Sequence, residues 1–304
     1  MQNYNYTTIG RGLKASFIKA YDNGEDPKDV MMFVMETTST GRDEEYGWLG
    51  NSPKMREWLG DRKLSKLNSF DYKLKNKKYE ATLDVKRDDI DDDRLGNYKL
   101  RVNELAAEAR RYPRELFFEA LIQGETELCY DGQPFFSASH QDSEQSGTQS
   151  NIFTGTGTTL AQIKADVESV VAEMKALLDD QGKPFDESEV MIGILCPLEL
   201  EQKFIELNTL ARINSTDNSM KGRIKQITAS GYLSADDAND WYLANIKANG
   251  VKPLIRQVRK KPEFRALEAD STNGFMRDIY YYGIDSREVF GYGLWQRMFK
   301  VTNS

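Results

Sequence analysis

The sequence predicts an α+β protein in which a long helix and closing strands flank a separate α/β unit. Three patterns predict this class. Apolar residues at helical spacing run through residues 97–123, and a continuous apolar run at 190–197 has the length of a buried strand. Residues 275–282 place alternate side chains on opposite faces, as strands do. Helical and strand patterns therefore occupy different stretches of the chain, which is typical of α+β folds.

The pattern of residues 1–40 predicts an arm that carries a short amphipathic helix. Ile9, Leu13, Phe17 and Tyr21 are spaced four apart, so they fall on one face of a helix. The stretch "DNGEDP" at 22–27 ends that pattern. A single apolar stripe needs another surface to cover it, and repeated contact between copies of the chain would provide one.

Residues 41–86 predict an extended loop without a helix of ordinary length. Its first part, 46–64, holds Trp48 and Trp58 in a stretch broken by glycine and proline. Residues 70–87 alternate polar and apolar side chains on both sides of "KNKK", which predicts a two-stranded β-hairpin with a cationic tip. Because an isolated hairpin is marginal in water, it too needs a partner surface.

The long helix at 97–123 is the clearest local pattern. Pro113 either kinks this helix or opens a second one, and Gly124 ends it. The acidic run 88–93 before it lacks the glutamate that an EF-hand loop has at position 12, so it predicts carboxylates at a helix N-terminus rather than a calcium site. The predicted apolar stripe consists of Val102, Leu105, Ala106, Ala109, Leu116, Phe117, Ala120 and Leu121.

The α/β unit is predicted at residues 126–248. A turn is expected at Asp131-Gly132, and Thr159 with Gln162 three residues later forms a capping box at the start of a helix. The apolar run 190–197 predicts a buried strand, Pro197 opens another helix, and strands follow at 222–230 and 241–246. The rest of the chain, 249–304, returns to strands.

Composition excludes several classes of protein. The 304 residues carry a formal net charge of −7, which gives no electrostatic basis for gripping phosphate backbones. No apolar run is long enough to cross a membrane. The two cysteines, Cys129 and Cys196, cannot build a disulfide framework and predict reduced, buried thiols.

Candidate chemistry in the chain is sparse. The only histidine is His140, with Cys129 as the nearest thiol, and one histidine with two distant cysteines cannot form a zinc site without carboxylates. "TGTGTT" at 154–159 lacks the third glycine of a dinucleotide loop. We therefore expect no catalytic, cofactor-binding or metal-binding residues. The competing hypothesis, a cytosolic α/β enzyme with its pocket in 126–248, would depend on His140 or Cys196.

An ordered set of motifs resembles the Mu-like phage major head subunit family, the T-type major capsid proteins. The motifs run in family order from about residue 40 to residue 297. They are "YGWLGNSPKMREWLGDR", "KNKKYEATLDVKRDDIDDDRLGNY", "CYDGQPFF" with the nearby His140, "MKGRIKQITASGYLS", "DWYLAN", "KPLIRQVRKKPEF" and "YYYGIDSREVFGYGLWQ".

The resemblance implies the Hong Kong 97-type capsid fold and a structural role in the virion capsid, assembled in the host cytoplasm. It implies hexamers and pentamers that tile an icosahedral shell around double-stranded DNA, without sequence-specific DNA binding, cofactor or membrane. A separate scaffold protein, a maturation protease and a portal are the other implied partners. A cellular encapsulin-type compartment keeps the fold but changes the role, and the Mu-type motifs argue against it. The implied divisions are an N-terminal arm at 1–40, an E-loop region at 41–86, a peripheral domain with the spine helix at 87–125, an inserted axial domain at 126–248, and peripheral return strands at 249–304.

Six residues in the E-loop region are predicted to contact a neighbouring subunit. The tryptophans supply apolar anchors, and tryptophan and arginine are enriched at interface hot spots. The alternative is that the tryptophans fix the loop to their own domain. Lysines of the loop could take part in a covalent cross-link, although lysines on a hairpin usually only keep an edge soluble. The predicted contacts are Trp48, Arg56, Trp58, Arg62, Lys75 and Lys77.

Overall fold

Two larger β-sheets organise the chain in the computed structural model, which describes residues 6–24, 27–49, 72–91, 95–186, 188–247, 250–267 and 276–303. The α-helices are α1 (Tyr6–Asn23), α2 (Lys28–Met31), α3 (Arg87–Asp91), α4 (Leu95–Gln123), α5 (Leu160–Ala176), α6 (Leu198–Thr209) and α7 (Gly231–Asp236). The strands are β1 (Val34–Thr38), β2 (Asp43–Glu45), β3 (Lys73–Lys75), β4 (Lys77–Lys86), β5 (Ile152–Thr154), β6 (Ile192–Cys196), β7 (Arg212–Ile213), β8 (Thr216–Asp217), β9 (Ile224–Ala229), β10 (Trp241–Asn245), β11 (Leu254–Leu267), β12 (Ile279–Tyr292) and β13 (Met298–Thr302).

The four-stranded sheet has the order β1-β11-β12-β4. β1 is parallel to β11, while β11, β12 and β4 are antiparallel, with Ile279 opposite Lys86 and Glu288 opposite Lys77. Burial along the first part of β12 alternates residue by residue, as expected for a sheet with one covered face. Tyr280 and Tyr282 lie on that face, which α1 and α4 cover.

The N-terminal helix covers its apolar stripe on its own chain. Leu13 and Phe17 are buried in a cluster with residues of α4, β4, β11 and β12. The Phe17 ring packs against Phe264, with ring centroids 5.4 Å apart, and Arg110 of α4 lies over the Tyr21 ring. The predicted helix is therefore confirmed, but Leu13 and Phe17 need no partner subunit to bury them.

The long helix α4 is continuous through Pro113 over its 29 residues, so no second helix begins there. All eight residues of the predicted stripe are buried. The N-terminal half of this stripe, including Val102 and Ala106, belongs to the cluster with α1, whereas the C-terminal half, including Phe117 and Leu121, belongs to the larger core. α4 therefore connects the two hydrophobic cores.

The five-stranded sheet has the order β5-β13-β10-β6-β9 and belongs to the larger core. Every residue of β6 is buried, as the apolar run at 190–197 predicted, and every residue of β10, in the strand predicted at 241–246, is buried as well. The capping box of Thr159 and Gln162 at α5 is confirmed, and Pro197 is the N-cap of α6. β13 lies between β5 and β10, so the closing segment 249–304 contributes strands to both larger sheets.

The predicted β-hairpin across "KNKK" is wrong. β3 pairs with β2, and β4 pairs with β12, so the two strands belong to different sheets. The alternation on each side of "KNKK" does correspond to strands. Asn76, however, is buried where the chain passes from β3 to β4, and it does not lie in an exposed turn. Its side chain hydrogen-bonds to backbone and side-chain groups of residues 39–42 and to Gln257, which hold the chain as it passes from one sheet to the other.

Candidate inter-subunit surface

A two-stranded ribbon borders the part of the chain that carries the predicted contacts. It consists of β2 and β3, and we call it the stem. Three predicted contact residues, Trp48, Lys75 and Lys77, lie in or next to the stem. The other three, Arg56, Trp58 and Arg62, lie outside the described residues.

Trp48 presents a large apolar surface to solvent directly after the stem. Its side chain is 45% exposed, while Tyr46 and Leu49 on either side are buried. The rings of Trp48 and Tyr46 have centroids 6.3 Å apart and an interplanar angle of 58°. Trp48 therefore rests partly on its own chain, as the alternative reading expected, and leaves nearly half of its surface available to another molecule.

A buried polar network fixes the stem to the four-stranded sheet. We call it the stem network; its centre consists of Tyr46, Asn76 and Gln257. The Gln257 amide donates to Asn76 Oδ1 (2.9 Å) and to the Leu74 carbonyl (3.1 Å), and the Tyr46 hydroxyl donates to Gln257 Oε1 (2.9 Å). The Asn76 amide in turn donates to Ser39 Oγ (2.9 Å) and to the Gly41 carbonyl (3.1 Å). Buried polar groups that are satisfied in this way specify one arrangement.

Glu44 closes the turn that leads into the stem. Its Oε1 accepts hydrogen bonds from the backbone N–H groups of Thr40 (2.8 Å) and Gly41 (3.1 Å) and from the Ser39 hydroxyl (2.9 Å). These donors, chiefly the two backbone groups, lower the pKa of Glu44 below its usual value. The carboxylate therefore stays ionised and holds the turn.

Apolar contacts complete the attachment. Leu74 is buried directly over Gly291 of β12, where a Cβ atom would come within 2.3 Å of a Leu74 methyl carbon. The Tyr72 hydroxyl accepts a hydrogen bond of 2.7 Å from the Tyr292 N–H, and burial raises the pKa of Tyr72. Sequence patterns could not predict this attachment, because they reflect residues a few positions apart and Asn76 and Gln257 are 181 residues apart.

Lys75 and Lys77 flank the buried Asn76 and are both exposed. Lys73, two residues earlier, forms an ion pair of 2.9 Å with Glu45 across the stem. Exposed pairs of this kind contribute little to stability.

A second polar cluster is buried beside the larger core. His140 Nδ1 lies 2.7 Å from Asp131 Oδ2, the Cys129 thiol donates to Asp131 Oδ1 (3.0 Å), and the His140 ring stacks on Trp295 at 4.2 Å. Asp142 accepts from Tyr130 and Trp295, and burial raises its pKa to about 6.

The residues that the enzyme hypothesis needs are poorly suited to nucleophilic catalysis. Burial raises the pKa of both Cys129 and Cys196, the latter to about 12, so both thiols stay protonated. Burial acts to raise the pKa of Asp131. The hydrogen bond and charge of His140, with the hydrogen bonds from Cys129 and Gln133, lower that pKa by more, so the pKa lies below its usual value. His140 itself is fully buried and bonded through both ring nitrogens, so it does not face a substrate.

Among the described residues, no helix is both long enough and apolar enough to cross a membrane.

Comparison with known proteins points to phage heads. The major capsid protein of Escherichia phage Mu is 28% identical over 289 residues, which cover 94% of this chain and 71% of that protein. The Mu-like prophage FluMu major head subunit of Haemophilus influenzae is 28% identical over 292 residues, covering 96% of this chain and 70% of that protein. Among solved structures, a chain of the bacteriophage JBD30 procapsid is similar, with a TM-score of 0.56, 28% identity and coverage of 98% of this chain and 76% of that chain.

These similarities confirm the predicted Hong Kong 97-type capsid fold and a structural rather than enzymatic role in the virion capsid. The family model for the Mu-like prophage major head subunit gpT matches residues 7–165 and 215–304, which is most of the chain. The chain therefore belongs to the Mu-like prophage major head subunit gpT family and is a major capsid protein of a tailed phage.

Proposed function

We propose that this capsid protein assembles as hexamers and pentamers that tile an icosahedral head shell around double-stranded DNA. The observation that supports this most is Trp48, a half-exposed aromatic side chain that packs against the ring of Tyr46, a member of the buried stem network. A side chain of this size, fixed and exposed, is a typical interface anchor. The N-terminal helix already has its cover within the chain, so the surface around the stem is the stronger candidate for contact between subunits.

We propose that the chain has five structural divisions. The arm is 1–40, the E-loop region is 41–86, the peripheral domain with its spine helix is 87–125, and the axial domain is 126–248. Residues 249–304 return to the peripheral domain, except that β13 shares a sheet with β6 and β10 and so belongs with the axial domain. The stem is then the base of the E-loop.

The E-loop contacts are proposed in detail. Arg56 and Arg62, on either side of Trp58 in sequence, pair with carboxylates of the acidic run 88–93 of the adjacent subunit. Asp88 in that run is exposed at the start of α3, and Asp89 accepts a hydrogen bond of 2.6 Å from the Tyr98 hydroxyl. Several carboxylates close together attract guanidinium groups, and arginine binds carboxylates in a fork geometry.

The other partners are a separate scaffold protein and a maturation protease during assembly, together with a portal. The packaged DNA is enclosed without sequence-specific binding. A net charge of −7 fits a shell whose inner wall does not hold phosphates tightly.

Electron microscopy tests the proposal. The full chain, expressed alone and together with its scaffold protein, is imaged in negative stain at micromolar concentration. Rings, tubes or closed shells are the expected result. A protein that stays monomeric and compact in both preparations would overturn it.

Charge reversal tests the arginine contact separately. Arg62→Glu is expected to block assembly while the free subunit keeps its circular dichroism spectrum and unfolding midpoint. Lys63→Glu is the matched control because it makes the same change of charge at the next position. Shells of normal yield from Arg62→Glu, or equal losses from both variants, would count against the arginine contact and leave shell formation itself untouched.

A further inference from the structure

Three metal-ligating side chains come together at the turn that follows the long helix. They belong to Cys129, Asp131 and His140, and their ligand atoms all lie within 4.8 Å of one another. The side chains of Asp131 and His140 are fully buried, and Cys129 is buried as well. The two oxygens of Asp131 divide between the other residues, since Oδ1 faces the thiol at 3.0 Å and Oδ2 faces His140 Nδ1 at 2.7 Å.

Hydrogen bonds around the histidine determine which ring nitrogen carries a hydrogen. His140 Nε2 has two neighbours at 3.2 Å, the Phe135 carbonyl and Asn151 Oδ1. The Asn151 amide cannot be flipped, because its Oδ1 accepts from the Ser137 N–H and its Nδ2 donates to the Phe135 and Met298 carbonyls. Both neighbours of Nε2 are therefore acceptors, and Nε2 must donate.

The remaining nitrogen then faces an acceptor. In a neutral ring whose hydrogen is on Nε2, Nδ1 carries only a lone pair, yet it lies 2.7 Å from a carboxylate oxygen. Two lone pairs at this distance repel unless a cation lies between them. That cation is either a second ring proton or a metal ion. The thiol of Cys129 on the other side of the same carboxylate favours the metal ion, because it adds a third ligand of a different type.

We propose that Cys129, Asp131 and His140 bind a divalent transition-metal ion of the zinc class. Zinc takes sulfur, nitrogen and carboxylate oxygen ligands, and Cys129, His140 and Asp131 supply one of each. Metal binding releases the proton of the Cys129 thiol to solvent, and the resulting thiolate, the carboxylate and a neutral imidazole balance the charge of a divalent ion, which a buried site requires. Donation from Nε2 to a carbonyl is the usual outer bond of a metal-bound histidine.

The proposed ion ties the chain together at the edge of the larger core. It would join the turn 129–134 to the loop that carries His140, whose ring stacks on Trp295 near the end of the chain. Because the ligands are buried, the ion enters as the subunit folds and its binding energy stabilises the folded chain. The role is structural, so it is independent of how subunits contact one another.

The test measures metal directly. The full chain is purified without a histidine tag or chelator, unfolded in urea, refolded in buffered zinc and dialysed against metal-free buffer, and its zinc is then measured by mass spectrometry. We expect about one zinc ion per chain, and the cobalt-substituted protein should show a thiolate-to-metal charge-transfer absorption. Cys129→Ser should lose that absorption and bind cobalt more than about tenfold more weakly. Cys196→Ser removes the other buried thiol and should behave like the wild type.

Two results would overturn the proposal. One is a wild-type chain that retains less than about a tenth of a zinc ion and shows no charge-transfer absorption with cobalt. The other is cobalt binding that is equal in the wild type and in Cys129→Ser. The wild-type measurements stand even if Cys129→Ser fails to fold. In the first case the second ring proton explains the geometry, and nitrogen NMR would find both nitrogens of His140, the only histidine in the chain, protonated.

Discussion

The two larger sheets bury their strands to different extents. In the five-stranded sheet, every residue of β6 and β10 is buried. In the four-stranded sheet, β4 alternates between exposed and half-buried residues along most of its length. A sheet that is covered on both faces holds the subunit together, whereas a sheet with one open face leaves a surface for other molecules.

The long helix belongs to both regions. Its N-terminal half packs with α1 against the four-stranded sheet, and its C-terminal half packs in the larger core. Both hydrophobic cores therefore share this one helix. The fully buried strands β6 and β10 belong to the five-stranded sheet, whereas the stem and the open face of β4 belong with the four-stranded sheet.

The largest expected difference comes from the same substitution in the two sheets. Leu243→Ala in β10 removes a fully buried side chain and should lower the free energy of unfolding by about 2–5 kcal/mol. Leu83→Ala in β4 removes a half-buried one and should cost about 1 kcal/mol or less. Urea unfolding of the free subunit measures both. Equal losses would mean that the four-stranded sheet is as tightly packed as the five-stranded sheet.

The parts of the fold that sequence patterns predicted are those set by local periodicity. The stripe on α4, the capping box at Thr159 and the buried strand at 190–197 were all correct because each depends on residues a few positions apart. The pairing of β4 with β12 was missed because it joins residues about 200 positions apart. Alternation shows that a strand has two faces but does not say which strand lies next to it.

The candidate surface could be predicted only in part, for the same reason. Trp48 was singled out because a large aromatic residue stood among glycines, and it proves to be half exposed. The stem network was missed, since nothing local marks Asn76 or Gln257 as buried. The Cys129–Asp131–His140 cluster was missed because no local pattern shows that the Asp131 carboxylate lies between the thiol and the imidazole.

Breaking the stem network should have the next largest effect. Asn76→Ala removes an acceptor of the Gln257 amide and the side-chain donor to Ser39 Oγ and to the carbonyls of Gly41 and Arg42, so it should lower the free energy of unfolding by about 1–3 kcal/mol. It should also speed amide hydrogen exchange in β2 and β3 more than in β6. Lys75→Ala, one residue away and exposed, is the control and should change stability by less than about 0.5 kcal/mol. Unchanged exchange in the stem would show that the network does not hold it.

Trp48 should separate folding from assembly. Trp48→Ala removes a half-exposed ring and should change the free energy of unfolding by no more than about 1 kcal/mol. Its effect on the yield of assembled particles should be much larger, because exposed aromatic anchors contribute most of the energy of an interface. Met276→Ala, also exposed, should change neither quantity. Normal assembly of Trp48→Ala would assign this tryptophan to its own chain.

The smallest expected effect is a pH dependence confined to the stem. The pKa of Glu44 is lowered by hydrogen bonds from Thr40, Gly41 and Ser39, so its carboxylate stabilises the folded turn above the usual glutamate pKa of 4.5. That contribution is lost as the pH falls through the lower pKa of the folded state, because the unfolded chain takes up the proton first. Hydrogen exchange at residues 40–44, corrected for intrinsic rates, should therefore accelerate relative to β6 as the pH falls below about 4.5.

Glu44→Gln is the matched variant for this effect. All three hydrogen bonds end on Oε1, and a glutamine can offer the same acceptor without a titrating group. The variant should keep the turn but lose the acceleration at low pH, because charge-assisted hydrogen bonds have been replaced by neutral ones. If the wild type and Glu44→Gln show the same pH profile at residues 40–44, the pH dependence of the stem does not come from Glu44.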